Sequence, residues 1–408
     1  MKQGINSTAN HIKNIAHGFF LGIATAIAEP ATILPLMVSH FGGSPALVGF
    51  FASLLRGGAV VVQLLAAFNA QSYPLMIRYL RRVFLARFLT WFGIGFFILL
   101  LGDDHHTLSL FVLGFGLFAF SFSAGFGAVY FQEIVSKVFT HQFRGKTMAW
   151  KQFFAGLGSI LSGGIAAWIL KAFPAPQSYG YLFIFSALLM SLGLIAFATI
   201  QEPIKENISQ KEKNFRTFLR NGRVLLKKDR HLSHQIVTYF LSYAYLLSLP
   251  FIVLEAKTKI TLDAHTLGLF ISAQMAGAMV SNLLWGKLSA KGNNRATVSI
   301  AIVLSILGIA GAFFADSATF YALLFFIIGG SMDGVRLGFG NLIAIIAPED
   351  KRPVYIAIQS NLSSIGIFFS IPGGLLLPQI GYHALYGLTL ILLLIAFGLS
   401  LSLKDLQK

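Results

Sequence analysis

Residues 23–36 read IATAIAEPATILPL and form part of an apolar run that Glu29 and Pro30 interrupt. A carboxylate inside a membrane-length segment is costly, and such residues usually face a bundle interior, a water-filled cavity or an ion path. Pro30 lacks a backbone donor, so a helix can bend or open at this point. The next apolar run carries Arg56 near its middle. We therefore expect helices that cross a membrane and bring charged side chains into it.

The composition indicates a membrane protein. Of the 408 residues 56% are apolar and 11% are charged, whereas soluble proteins have about 25% charged residues. The mean hydropathy is +0.73. The absence of cysteine excludes a disulfide framework, cysteine-ligated zinc and thiol catalysis. The net charge of +16 comes from basic residues in short loops between apolar runs, which is typical of membrane topology and not of nucleic-acid binding.

Apolar segments of membrane length recur along the whole chain. About 20 apolar residues cross the hydrocarbon core, and we find twelve such segments. Because they contain glycines and no long period-2 alternation, they are helices and not barrel strands, so we predict an all-α polytopic membrane protein. The predicted spans are residues 15–38, 45–68, 83–101, 108–131, 147–170, 179–200, 232–254, 266–288, 296–315, 319–347, 354–378 and 384–403.

The distribution of Lys and Arg predicts the orientation. With both termini in the cytoplasm, cytoplasmic segments hold 25 of the 31 basic residues and outer loops hold three. This asymmetry follows the positive-inside rule. We therefore predict a multi-pass protein of the cell (inner or plasma) membrane with both termini cytoplasmic, and a polar N-terminal tail that is not a cleaved signal peptide.

Two polar loops offer further interpretations. Residues 102–107 read GDDHHT and fall outside; the Asp103–His106 cluster could bind a metal, but a solvated turn is the preferred interpretation, so we predict no metal and no cofactor. In the central loop, residues 201–231, basic residues recur at spacings of four and three. This pattern predicts an amphipathic helix against anionic lipids of the inner leaflet, with a regulatory surface as the alternative.

The two halves of the chain repeat in parallel. LVGFFAS (47–53) matches LGLFISA (267–273), Pro30 matches Pro250, and double glycines recur at 163–164 and 373–374. We predict two six-helix halves, residues 1–200 and 232–408, joined by the linker 201–231. This is the arrangement of a rocking two-domain transporter, in which Pro30 and Pro250 are candidate hinges.

The loops QFRGKTMAW (142–150), APEDKRPVYIA (347–357) and 286–295, together with the twelve spans, resemble the major facilitator superfamily. Loop 286–295 is similar to that family's Gly-x-Leu-Ala-Asp-Arg-x-Gly-Arg-Lys loop, although Ala290 stands where the aspartate belongs. The resemblance implies the major facilitator fold over essentially the whole chain. It also implies five gating-loop candidates, namely Gly286, Lys291, Arg295, Arg144 and Arg352.

Four charged residues are predicted at similar depth in the membrane. At about 1.5 Å per residue, Glu29 lies ~21 Å and Arg56 ~18 Å above the inner ends of their spans, so the two can pair. Asp333 and Arg336 lie at ~21 and ~16 Å and, being three residues apart, share a helix face. We predict that these four residues couple protons or bind substrate. The alternative is that each pair only neutralises itself.

Weaker candidates follow from the resemblance, in which the first, fourth, seventh and tenth helices line the transport cavity. The lining candidates are Tyr130, Gln132, Glu133, Tyr239, Tyr243, Tyr245 and Asn341. Polar residues on other helices are more suited to hydrogen bonds between helices. They include Gln63, Gln274, Asn282, Gln359 and Asn361.

The leading functional prediction is a secondary active transporter of a small organic solute, coupled to protons. Mixed charges favour an anionic or zwitterionic solute slightly over a neutral sugar. A drug or amphiphile efflux antiporter is the alternative, supported by 40 Phe and weakened because helix 5 lacks that family's Gly-Pro pair. A transporter-like membrane sensor is the alternative from another class. An enzyme is disfavoured, since Walker A, HExxH and GxSxG motifs are absent.

Overall fold

A computed structural model describes residues 7–27, 29, 31–70, 73–139, 141–204, 229–348 and 352–405. Within these ranges the chain forms helices and no β-strand. The helices of the first half are α1 (Ser7–Ile27), α2 (Ile33–His40), α3 (Pro45–Ala70), α4 (Ile77–Leu101), α5 (His106–Val138), α6 (His141–Ala172) and α7 (Gln177–Ala198).

The second half begins at α8 and contains two short 3₁₀ helices. Its α-helices are α8 (Arg230–Ser242), α9 (Leu249–Lys259), α10 (Ala264–Ala290), α11 (Asn294–Ala312), α12 (Ala318–Ile346), α13 (Arg352–Ser363) and α14 (Ser370–Ser400). The 3₁₀ helices Tyr243–Leu247 and Ser364–Phe369 join α8 to α9 and α13 to α14. Most of the predicted amphipathic linker helix, residues 205–228, lies outside the described residues.

The described helices account for twelve spans. Among the residues that the structure describes, nine segments are long and apolar enough to cross a membrane by length and composition. One of them, Ile358–Ser400, is 43 residues long and contains a kink at Gly381 with a φ of 75°, so it holds the predicted eleventh and twelfth spans. The remaining two are the first span, which is split into α1 and α2, and the second span, α3. The prediction of an all-α membrane protein is confirmed.

The chain forms two compact units. One contains the described residues of Met1–Gly42, Leu54–Lys213 and Ala264–Ser272, and the other those of Gly43–Ser53, Asn214–Asp263 and Ala273–Lys408. Each unit thus includes one short segment from the opposite half of the sequence. Glycines explain both: a Cβ on Gly374 would meet the carbonyl group of Pro45, and a Cβ on Gly163 would meet that of Gly268. Backbones approach closely where a side chain is missing.

In the first unit, α1 packs against α6 and α7 and is held by a buried hydrogen-bond chain. The indole Nε1 of Trp91 on α4 donates to the Ser186 hydroxyl at 2.7 Å. That hydroxyl donates to the carbonyl oxygen of Ala24 at 2.8 Å. Polar groups inside an apolar bundle need such partners, and this chain joins α4 and α7 to the helix that leads into Glu29.

A repeated helix cap supports the parallel repeat. The Glu202 carboxylate, which follows α7, accepts hydrogen bonds from the N–H groups of Met76 (3.1 Å) and Ile77 (2.7 Å) at the start of α4. The Asp405 carboxylate, which follows α14, accepts one from the Arg295 N–H (2.6 Å) at the start of α11. The first N–H groups of a helix lack partners within it, so a carboxylate there is stabilising. In both halves the chain after the last span therefore caps the third span.

Gly329→Ala is expected to destabilise the protein. Where α12 crosses α10, a Cβ at Gly329 would collide with the carbonyl oxygen of Gln274, and overpacking of this kind typically costs about 1–3 kcal/mol. Gly340→Ala is the matched control, because a Cβ at Gly340 on the same helix meets open space. Thermal unfolding in detergent should show a lower melting temperature for Gly329→Ala only. Equal melting temperatures would contradict the close crossing.

Candidate functional site

The first span is broken at Glu29. Helix α1 ends at Ile27 and α2 begins at Ile33. Between them the Glu29 carbonyl oxygen accepts hydrogen bonds from the N–H groups of Thr32 (3.2 Å) and Leu34 (3.5 Å). The interruption therefore falls where the sequence predicted that a helix can bend, although Pro30 itself lies outside the described residues.

Glu29 and Arg56 form an ion pair inside the first unit. Glu29 Oε1 lies 2.9 Å from Arg56 Nη2, and the two side chains are 11% and 18% exposed. The structure thus brings together the two residues that the depth comparison placed at one level. Arg56 Nη1 is buried and has no hydrogen-bond partner in the part of the chain that the structure describes. The guanidinium therefore retains a donor for an additional acceptor.

Asp333 and Arg336 form the corresponding pair in the second unit. Asp333 Oδ1 lies 2.9 Å from Arg336 Nη2, and Asp333 Oδ2 accepts a hydrogen bond from the Asn282 amide at 2.8 Å. The Arg336 side chain is 69% exposed, whereas that of Asp333 is 21% exposed. Asn282 was assigned to helix–helix hydrogen bonding from sequence, and here it orients a candidate site carboxylate.

The lining candidates of the second unit divide into two groups. Tyr239 stacks between Tyr243 and Phe339, with ring centroids 5.3 and 4.4 Å apart, and the hydroxyl of Tyr243 donates to that of Tyr239 at 3.3 Å. Asn341 instead donates to the Ser289 hydroxyl (2.7 Å) and the Asn294 side-chain oxygen (3.0 Å). Its amide therefore joins α12 to the end of α10 and the start of α11.

The lining candidates of the first unit lie near the end of α5. Tyr130 is buried against an aromatic group that includes Phe126, Tyr73 and Tyr79, with ring centroids 6.1–6.3 Å away. Gln132 is exposed and Glu133 is half-buried. All three candidates belong to the same compact unit as the Glu29–Arg56 pair.

The gating-loop candidates have individual roles. Arg144 donates to the Ser136 carbonyl oxygen at 2.8 Å and so ties the start of α6 to α5. Lys291 is exposed in the turn between α10 and α11. Gly286 is also exposed, and a Cβ added there would meet open space. The backbone N–H of Arg295 donates to the Asp405 carboxylate, as described above. Arg352 begins α13, and its side chain lies outside the described part.

Pro250 occupies the second position of α9, just after the 3₁₀ helix of the seventh span. Proline is tolerated in the first turn of a helix, since the N–H groups there lack partners within the helix. The seventh span is thus interrupted in the same part of its half as the first span. Pro250 begins the helix after this interruption and does not bend an unbroken helix.

The sequence pattern did not indicate the buried carboxylate of Glu255. Its Oε1 lies 3.0 Å from Lys259 Nζ, and its Oε2 accepts a hydrogen bond from the Tyr386 hydroxyl at 2.6 Å. Glu255 is 3% exposed, although the predicted seventh span ended one residue before it. The i,i+4 spacing of Glu255 and Lys259 was the signal that could have indicated the pair.

Asp103, in the turn after α4, contacts two histidine side chains, at the end of α2 and at the start of α5. Asp103 Oδ1 lies 2.8 Å from His40 Nε2 at the end of α2 and 3.5 Å from His106 Nε2. Among the described residues, no group of three or more His, Cys, Asp or Glu side chains could hold a metal ion. Asp103 therefore links α2, the second part of the broken first span, to the start of α5.

Comparison with known proteins decides the family. The family model described as Major Facilitator Superfamily matches residues 17–255 and 232–406. The chain belongs to the Major Facilitator Superfamily. The family and the fold together identify this superfamily member as a multi-pass membrane transporter and not an enzyme. No curated protein sequence matches the chain at a significant level.

Solved structures share the fold of this superfamily member at low sequence identity. A mutant form of the nucleoside transporter NupG has 12% identity and a TM-score of 0.75, with 97% of this chain and 99% of that chain covered. A D-xylose-proton symporter has 12% identity and a TM-score of 0.69, with 98% and 97% covered. A bacterial homologue of the iron transporter ferroportin has 13% identity and a TM-score of 0.69, with 95% and 98% covered. At such identities the likeness concerns the fold alone.

Proposed function

We propose that this protein is a proton-coupled secondary transporter that moves a small organic solute across the cell (inner or plasma) membrane by alternating access, with both termini in the cytoplasm. The Glu29–Arg56 ion pair carries this proposal. A carboxylate beside a guanidinium favours its ionised form, and separation of the two in an apolar site favours protonation. Because Glu29 lies in the break of the first span, a rearrangement of α1 against α2 would change the distance between the two groups.

The proposed solute is anionic or zwitterionic. Arg56 Nη1 and the exposed guanidinium of Arg336 both offer donors suited to a carboxylate or phosphate oxygen. Tyr239 and Tyr243, whose rings stack on each other, belong to the same compact unit as Arg336. The solved structures of similar fold include a nucleoside transporter and a D-xylose-proton symporter, which agrees with a small organic solute.

The proposal is tested with purified protein in liposomes under an imposed pH gradient. Radiolabelled amino acids, organic acids, nucleosides and sugars are supplied one at a time, and uptake is followed together with internal pH. We expect one class to accumulate only while the gradient lasts and to carry protons with it. Accumulation that is unchanged when a protonophore removes the gradient would contradict proton coupling.

Arg56→Ala is expected to lower concentrative transport by more than about tenfold, because a buried charge left without its partner costs about 3–5 kcal/mol. Arg56→Lys should retain part of the activity, since an ammonium keeps the charge but not the fork geometry. Arg230→Ala, an exposed change at the start of α8, is the control and should transport normally. Full activity of Arg56→Ala would exclude the ion pair from the mechanism.

A further inference from the structure

A groove of about 430 Å³ lies between α4 and α5 in the first unit. On the α4 side it is lined by Arg82, Ala86 and Thr90, which recur every four residues and so form one row along the helix. The Thr90 hydroxyl donates to the Ala86 carbonyl oxygen at 2.9 Å, so its hydrogen-bonding need is met within α4. The small residues of this row leave room for an apolar ligand.

The α5 side of the groove is a row of phenylalanines. Phe115, Phe118, Phe122 and Phe126 line it, and neighbouring rings of the last three are 5.6–5.7 Å apart. From Phe115 to Phe126 the helix rises ~17 Å. This length is close to one leaflet, since the whole hydrocarbon core is about 30 Å thick. The groove therefore has the depth and the apolar wall that suit a single lipid tail.

One end of the groove is basic. Arg82 lines it, and Arg78 lies one turn earlier on the same row of α4. Both side chains are exposed, and neither is ion-paired within the described part of the chain; the Arg82 guanidinium lies 6.0 Å from the Tyr79 ring centroid. The predicted third span begins at Val83, so this end lies at headgroup depth in the leaflet assigned to the cytoplasm.

We infer that this groove binds an anionic phospholipid of the inner leaflet, with an acyl chain along the phenylalanine row and the phosphate near Arg82 and Arg78. The inference is independent of the proposed solute. Arginine is suited to phosphate because its planar fork donates two parallel hydrogen bonds. Each basic residue near the membrane surface contributes about fivefold in affinity for an anionic lipid. A zwitterionic lipid with the same tails would gain less from the two arginines.

The test is native mass spectrometry of the purified full-length protein in detergent, with phosphatidylglycerol or phosphatidylcholine of identical acyl chains added. Three variants are compared with the wild type. Arg78→Gln/Arg82→Gln removes the basic end, and Ala119→Trp fills the groove without a change of charge. Lys171→Gln/Lys257→Gln removes the same charge from exposed residues at the predicted outer ends of other helices. Circular dichroism and melting temperature show whether each variant is folded.

We expect one retained phosphatidylglycerol, bound more tightly than phosphatidylcholine. The arginine double variant should weaken it by about 25-fold, from two residues at about fivefold each. Ala119→Trp should remove it, and the lysine double variant should retain it. Equal binding of both lipids, or phosphatidylglycerol retained in folded Ala119→Trp, would overturn the inference. A dimer formed through this face would also overturn the inference. It would be seen as a doubled mass that Ala119→Trp abolishes.

Discussion

Glu29→Gln is expected to abolish accumulation of the solute against its gradient while exchange of labelled for unlabelled solute continues. Glutamine has nearly the same shape as glutamate and offers a carbonyl oxygen to Arg56, but it cannot take up and release a proton. If Glu29 is the coupling carboxylate, the variant still changes conformation with bound solute and no longer responds to the pH gradient. The measurement compares gradient-driven uptake with counterflow in the same liposomes.

Two further variants make the result for Glu29 specific. Asp104→Asn changes an exposed acid in the turn after α4 and should behave as the wild type in both assays. Asp333→Asn retains shape in the second unit but weakens the attraction to Arg336, so it should reduce solute affinity more than coupling. Normal accumulation by Glu29→Gln would exclude it as the coupling group. If accumulation is lost only in Asp333→Asn, the coupling carboxylate belongs to the second unit.

Glu202→Ala is expected to lower the free energy of unfolding by about 3–5 kcal/mol, the usual loss when one partner of a buried ion pair is removed. The Glu202 side chain is fully buried, and Lys137 Nζ lies 2.6 Å from its Oε1. The substitution therefore leaves a nearly buried ammonium uncompensated and also removes the acceptor from two N–H groups at the start of α4. Denaturation in detergent micelles measures the change.

Asp405→Ala provides the comparison for Glu202→Ala. Asp405 caps α11 through one N–H group in an exposed position, so its loss should cost about 0.5–2 kcal/mol, as for other helix caps. The double variant Glu202→Ala/Lys137→Met should recover part of the stability, because no charge is then left buried alone. Equal losses in both single variants would show that the ion pair adds nothing to the cap.

The twelve spans could be predicted from sequence because the membrane imposes a simple rule. Backbone hydrogen bonds must be met inside each segment, so every crossing requires about 20 apolar residues in a helix. The same rule made Glu29 and Arg56 conspicuous, and residue counts along the spans predicted that the two could pair. It could not give the direction in which either side chain points around its helix, and the 2.9 Å contact depends on that direction.

The sequence by itself determined the twelve spans and the positions of the charges along them, since these follow from local composition and from the cost of polar groups in a bilayer. Only the tertiary structure decided which distant groups meet. Glu202 reaches the start of α4 from 125 residues away, and Glu255 reaches Tyr386 from 131. Such contacts depend on helix packing across the bundle, which apolar periodicity does not encode. The break at Glu29 involves both kinds of information. Its position follows from the local sequence, whereas the contact of Glu29 with Arg56 depends on helix packing.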